Sequence, residues 1–206
     1  MTAPNPPLPQ QIYLIRHGEK PADPPASPLG APAAASGPPF GVDIDGNRNE
    51  HSLLPRGWQR CGALAALFDP ADASPPAGLR TPTALYSPTY GNPGKTEVHR
   101  TFQTIQGLGA LLGLAIQSPL GEGQESALAE AILAGGGDVV LICWEHHRIP
   151  ALAGAIPTRD DTTIPAVWPG DRFDVIWTFT LDPDTGRYAF GQVPQQLLHG
   201  DSATTI

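Results

Sequence analysis

Gln11-Ile12-Tyr13-Leu14-Ile15-Arg16-His17-Gly18-Glu19-Lys20 is the stretch on which the reading of the chain turns. Four consecutive apolar side chains, Ile12 to Ile15, stop abruptly at Arg16-His17-Gly18-Glu19, a pattern that predicts a buried strand running into a charged loop. In open α/β sheets ligands bind in the crevice beyond the carboxyl ends of the strands, and this run puts Arg16 and His17 there. Gly18 lets the backbone turn sharply at that point.

Outward from this run, the pattern is one of strands alternating with helices. Gln59 to Phe68 carries Cys61, Leu64, Ala65 and Phe68 on one helical face, and Glu97 to Leu112 carries Phe102, Ile105, Leu108 and Leu112. Thr83 to Ser87 reads as a short strand, and Leu114 to Ile116 as a briefer one. A short helix over Glu125 to Leu133 is ended by Gly135-Gly136-Gly137. Asp138 to Trp144 is the strongest buried-strand signal and ends, like the first, in a charged cluster, Glu145-His146-His147-Arg148. After a short helix over Ile149 to Ile156, Phe173 to Leu181 and Tyr188 to Val193 read as strands joined by the turn Asp182-Pro183-Asp184-Thr185-Gly186. The expected fold class is α/β: a three-layer α/β/α sandwich with a mostly parallel sheet and an antiparallel pair at one edge.

At 206 residues and 40% hydrophobic content the chain suits one domain, residues 11–206, preceded by a proline-rich tail, residues 1–10, expected to be mobile. A long loop at about 21–50 reads as a lid, a binding loop or a disordered segment. In it, Asp43, Asp45 and Asn47 alternate as in a calcium loop, but the twelfth position is Leu54, so a solvated turn is expected. No run approaches the roughly 18 apolar residues of a membrane span, and MTAPNPPLPQQ has no signal-peptide character, so a cytoplasmic protein without a membrane partner is expected. The net charge of −8 argues against nucleic acid as a partner. Cys61 and Cys143 read as buried free thiols. Oligomeric state is not legible.

Four segments carry a resemblance. Arg16-His17-Gly18-Glu19 follows a hydrophobic strand, and Leu54-Pro55-Arg56-Gly57 precedes an amphipathic helix. Tyr86-Ser87-Pro88 is followed, after a glycine-containing spacer, by Arg100-Thr101-Phe102-Gln103-Thr104, and the strand Val140 to Trp144 leads into Glu145-His146. In order and setting these resemble the histidine phosphatase superfamily, the phosphoglycerate mutase-like enzymes. The resemblance implies a phosphoglycerate mutase-like fold and a phosphatase acting on a small phosphorylated substrate. His17 would be the nucleophile, Arg16, Arg100 and His146 would be catalytic and substrate-binding, and Gly18 and Glu19 would also line the substrate. His147 stands where glycine is usual.

The residue types suit that chemistry. A phosphate monoester is a dianion near neutral pH, and its hydrolysis needs accelerations of up to ~10²¹. Arg16 and Arg100 can each offer a planar fork of donors to phosphoryl oxygens, and a protonated His146 adds a third cation. A neutral His17 can then attack phosphorus and form a phosphohistidine that water hydrolyses. The leaving oxygen needs a proton. The resemblance places a carboxylate some way after the second arginine, where Glu122 and Glu125 stand; Glu125 is counted with the catalytic residues, though it is equally placed as a helix-start cap, and Glu122 and Glu19 remain the other possibilities. Trp144 and Glu145 read as strand packing and a supporting contact. No metal is required, no sequence cluster has metal-ligand spacing, and no cofactor is expected. Two other readings stay open: a mutase returning the phosphoryl group to a second hydroxyl, and a catalytically silent phospholigand-binding protein.

Overall fold

The run Gln11–Arg16 forms strand β1, buried along its whole length, in a computed structural model that describes residues 7–22, 38–91 and 95–206. Five further strands, β2 (Ala84–Tyr86), β3 (Ile116–Gln117), β4 (Val139–Trp144), β5 (Val175–Asp182) and β6 (Arg187–Pro194), join it in one sheet ordered β3-β2-β4-β1-β5-β6. β1, β4, β2 and β3 pair in parallel, while β5 runs antiparallel to both β1 and β6. The chain is therefore α/β with a mixed, mostly parallel sheet. The β5–β6 hairpin closes through Gly186, whose φ of 67° only glycine adopts freely and whose N–H donates to the Asp182 carbonyl.

Among the described residues four α-helices connect and cover the sheet: α1 (Pro55–Phe68), α2 (Arg100–Leu112), α3 (Glu125–Leu133) and α4 (Ile149–Gly154). Because side chains alternate along a strand, Ile12 and Leu14 join an apolar cluster with Leu128, Ile132 and Leu152, from α3 and α4. Tyr13 and Ile15 point the other way, into a cluster with Leu64, Phe68, Ile105 and Leu108 from α1 and α2. Each such large side chain, fully buried, contributes about 1.5–3 kcal/mol to folding. Cys61 and Cys143 are free and buried, as expected.

Two helix starts differ from the sequence pattern. α1 begins at Pro55, ahead of the amphipathic run, because proline is pre-shaped for the first helical position. The helix expected from Glu97 breaks at His99, whose extended backbone (φ −89°, ψ 145°) separates a 3₁₀ turn, Thr96–Val98, from α2. Arg100 thereby becomes the first residue of α2.

Topology brings the two charged clusters together. β1 and β4 are parallel neighbours with Arg16 opposite Trp144, so the residues that follow each strand emerge side by side. The chain leaves β1 toward α1 on one face and leaves β4 toward α4 on the other. That divergence opens the crevice in which α/β sheets bind ligands.

The loop after β1 is packed tightly on α1. A Cβ on Gly57 would stand 2.8 Å from the Glu19 carbonyl oxygen and 2.9 Å from Leu53 Cδ2, and a Cβ on Gly18 would stand 3.1 Å from Gly57 Cα. Gly57→Ala is therefore expected to destabilise the protein by about 1–3 kcal/mol through overpacking. A urea midpoint equal to that of the parent chain would refute this.

Residues 1–6 of the expected tail, 23–37 of the long loop and 92–94 of the spacer lie outside the described residues. Pro9 and Gln10 are tied down: the Pro9 carbonyl accepts from Tyr188 Oη, and Gln10 N–H donates to the Asp138 carbonyl. Asp43 Oδ1 accepts the backbone N–H groups of Asp45 and Asn47, closing the expected turn on itself. Among the described residues no helix is long and apolar enough to cross a membrane.

Candidate active site

His17 lies immediately beyond β1 with 1% of its surface exposed. Its Nδ1 is 2.7 Å from the Gly18 carbonyl oxygen, which can only accept, so Nδ1 carries a proton and, in the neutral ring, Nε2 bears the lone pair. Nε2 is 3.5 Å from Oε2 of Glu145, the first residue after β4. Burial holds the His17 imidazole below its ordinary pKa; Glu145 pushes it up, Arg16 pushes it further down.

Glu145 is the residue of the candidate site that the sequence reading undervalued. Its Oε1 accepts a 2.9 Å hydrogen bond from Tyr90 Oη, and Tyr90 in turn stacks on His99 at 3.7 Å between ring centroids. Burial favours the protonated carboxyl, but a protonated His17, the hydrogen bond from Tyr90 and the charge of Arg100 outweigh it and bring the pKa down to about 2. Burial and that same Glu145 charge push the Tyr90 phenol well up, so it stays a donor. The signal for Glu145 was present, a charge at the end of a buried strand. Tyr90 had none, since it comes from the spacer loop.

Arg16 is almost fully buried and lies over the Phe173 ring, 3.9 Å from Cζ to the centroid, with Nη1 donating to the Gly170 carbonyl at 2.5 Å. Its charge reaches both histidines: His146 is brought down to about 4, first by burial and then by Arg16, His17 and His147. His146 is therefore neutral at pH 7, and its Nδ1 is buried without a hydrogen-bond partner among the described residues.

Arg100 is joined to the same centre through the backbone. Its carbonyl accepts from Thr104 Oγ1 at 2.6 Å, and that hydroxyl oxygen accepts the Gly18 N–H at 2.8 Å. One guanidinium nitrogen, Nη1, donates to the Glu50 carbonyl, whereas Nε is buried without a hydrogen-bond partner among the described residues.

The carboxylates separate by environment. Glu19 is turned away, held by Arg56 at 3.0 Å and Arg60 at 2.8 Å. Glu125 accepts from Trp144 Nε1 and from the Gly123 N–H; burial opposes ionisation there, but these donors win and lower its pKa. Trp144 is fully buried in the core. Glu122 stands 3.3 Å from His147 Nε2, and burial, with the Glu145 charge second, raises its pKa. Thus Arg16, His17, Gly18, Arg100 and His146 converge on one centre with Glu145 and Tyr90, Glu122 borders it, and Glu19 and Glu125 are engaged elsewhere.

The centre thus holds a tautomerically fixed imidazole, an ionised carboxylate beside its Nε2, and two guanidiniums acting electrostatically on that pair. No protein-family model matches the chain, and no curated protein matches it.

Proposed function

We propose that the chain is a metal-independent phosphoric monoester hydrolase of the histidine phosphatase type, built as a three-layer α/β/α sandwich of phosphoglycerate mutase-like kind. The observation that carries the reading is His17: buried at the end of β1, which pairs in parallel with β4, its Nδ1 proton committed to Gly18, and its Nε2 turned toward residues that respond to Arg16 and Arg100.

In this reading the dianion is drawn to the Arg16 and Arg100 charges, and Nε2 of neutral His17 attacks phosphorus. The P–N bond forms as the bond to the leaving oxygen breaks, and that oxygen takes a proton. Glu122 is the carboxyl suited to supply it, because its surroundings favour the protonated form while those of Glu145 and Glu125 favour the ionised one. The arriving negative charge raises the pKa of His146, so a proton accompanies the substrate and His146 becomes the third cationic donor. Water then attacks the phosphohistidine and gives a proton to the Glu122 carboxylate, which restores the acid; the P–N bond breaks, and inorganic phosphate leaves with the His17 electron pair restored.

The purified chain is expected to hydrolyse a chromogenic phosphate monoester in the presence of a chelator. Arg100→Ala should lower kcat/KM by roughly 10²-fold, about 2.7 kcal/mol, as loss of a donor aimed at developing charge does. Wild-type kinetics in that variant would show that Arg100 does not contact the phosphoryl group. Chelator-abolished turnover would remove the metal-independent mechanism.

A further inference from the structure

We infer that His17, Glu145 and His146 form a binding site for one borderline transition-metal cation of the Zn²⁺ class, and that the cation, when bound, blocks phosphoryl transfer to His17. Each of the three offers one ligand atom, and these atoms all lie within 4.8 Å of one another. His17 Nε2 and Glu145 Oε2 are 3.5 Å apart. The edge of a tetrahedron with metal–ligand bonds of about 2.0–2.2 Å is about 3.3–3.6 Å, so this pair already has the spacing of two zinc ligands.

The surrounding hydrogen bonds are those a metal centre uses. His17 donates Nδ1–H to a backbone carbonyl, which presents Nε2 as a lone pair, and Glu145 is oriented through its other oxygen by Tyr90. For a neutral ring, Nε2 and Oε2 then face each other as two acceptors, and a cation between them removes that mismatch. His146 supplies the third corner from the residue next to Glu145. Two imidazoles and one carboxylate suit Zn²⁺ and its neighbours in the transition series, whereas Mg²⁺ and Ca²⁺ want more oxygen ligands. Three protein ligands leave a fourth position open, and the charges of Arg16 and Arg100 favour an anion in it.

Cation binding does not require the phosphatase reading; the block does, because it consists of occupying the same Nε2 lone pair. Calorimetric titration of the full chain with Zn²⁺, and separately with Mg²⁺, tests the site. The expected result is one Zn²⁺ per chain, no uptake of Mg²⁺, and Zn²⁺ binding more than tenfold weaker in Glu145→Gln and His146→Ala. Tyr90→Phe, which removes only the orienting hydroxyl, should weaken it about tenfold. Turnover of the chromogenic ester should stop in step with Zn²⁺ uptake and return on chelation. Failure of the parent chain to take up Zn²⁺, or equal uptake by the Glu145→Gln and His146→Ala variants, overturns the site. Ligand-dependent uptake with turnover undisturbed overturns the block. Ligand-dependent uptake by a chain that turns over no ester supports the site and counts instead against the phosphatase reading.

Discussion

On the proposed mechanism, replacing His17 by alanine is expected to lower turnover of a phosphate monoester by roughly 10³-fold or more, since it removes the proposed nucleophile and with it the covalent route. His17→Asn sharpens the test. Its amide can still donate to the Gly18 carbonyl and so keep the local hydrogen bond that the imidazole makes. It has no ring nitrogen to accept a phosphoryl group, and it should be as inactive as the alanine variant. Two results read together decide the matter: residual kcat, and retention of labelled phosphate by the protein in a single turnover. Label on the parent chain and on neither variant is the expected outcome. An asparagine variant with parental kcat would dismiss the phosphohistidine.

The second large effect is structural. Arg60, on α1, is buried with two carboxylates: Nη2 lies 2.8 Å from Glu19 Oε1 and 2.8 Å from Asp201 Oδ1, while Nη1 donates to Gln195 Oε1. Arg60→Ala is expected to cost about 3–5 kcal/mol, because it leaves two buried carboxylates short of their countercharge. Arg56, 3.0 Å from Glu19 and 3.7 Å from Asp201, can take up part of the load, which places the expectation toward the lower end. Urea denaturation at pH 7 measures it, and a loss under about 1 kcal/mol would mean that the cluster contributes little.

The same cluster makes acid destabilising. Burial alone would raise the Asp201 pKa, but the hydrogen bond from Arg60, the N–H groups of Leu197 and Leu198, and the Arg60 charge outweigh it and lower the value. A carboxyl with a folded pKa below its unfolded one stabilises fully above the unfolded value, about 4, and loses that contribution as pH falls through the folded value. Stability of the parent chain should therefore drop below about pH 4 more steeply than that of Arg60→Ala. Parallel pH profiles would show that Asp201 does not depend on Arg60.

The cluster also bears on the site, since Glu19 follows Gly18 directly. Its carboxylate is fixed to α1, and its carbonyl accepts the Leu54 N–H at 2.9 Å. A residue that could have served as an acid is instead an anchor for the loop that carries His17. Charge at a strand end could be read from the chain; whether that charge faces substrate or a buried arginine depended on where Arg60 and Asp201 lie.

Much of the fold was legible because its signals are local. The apolar run before Arg16 and the run ending at Trp144 are strands buried on both faces, and Glu125 to Leu133 is a helix with the expected bounds. The break at His99 was not legible, since helical periodicity continues through it. It is made by contacts outside the periodic segment: the Arg100 N–H donates to the His51 carbonyl, and the His99 ring stacks between His51 and Tyr90.

By itself the sequence determined which side chains stand at the ends of its two buried strands, because hydrophobic runs and the charges that terminate them follow from burial alone. Only the tertiary structure decided that these ends are parallel neighbours, that Glu145 meets His17, and that Glu19 and Glu125 are engaged elsewhere. Those outcomes depend on pairings between residues far apart in the chain, and a pairing energy exists only once topology has brought both partners to the same place.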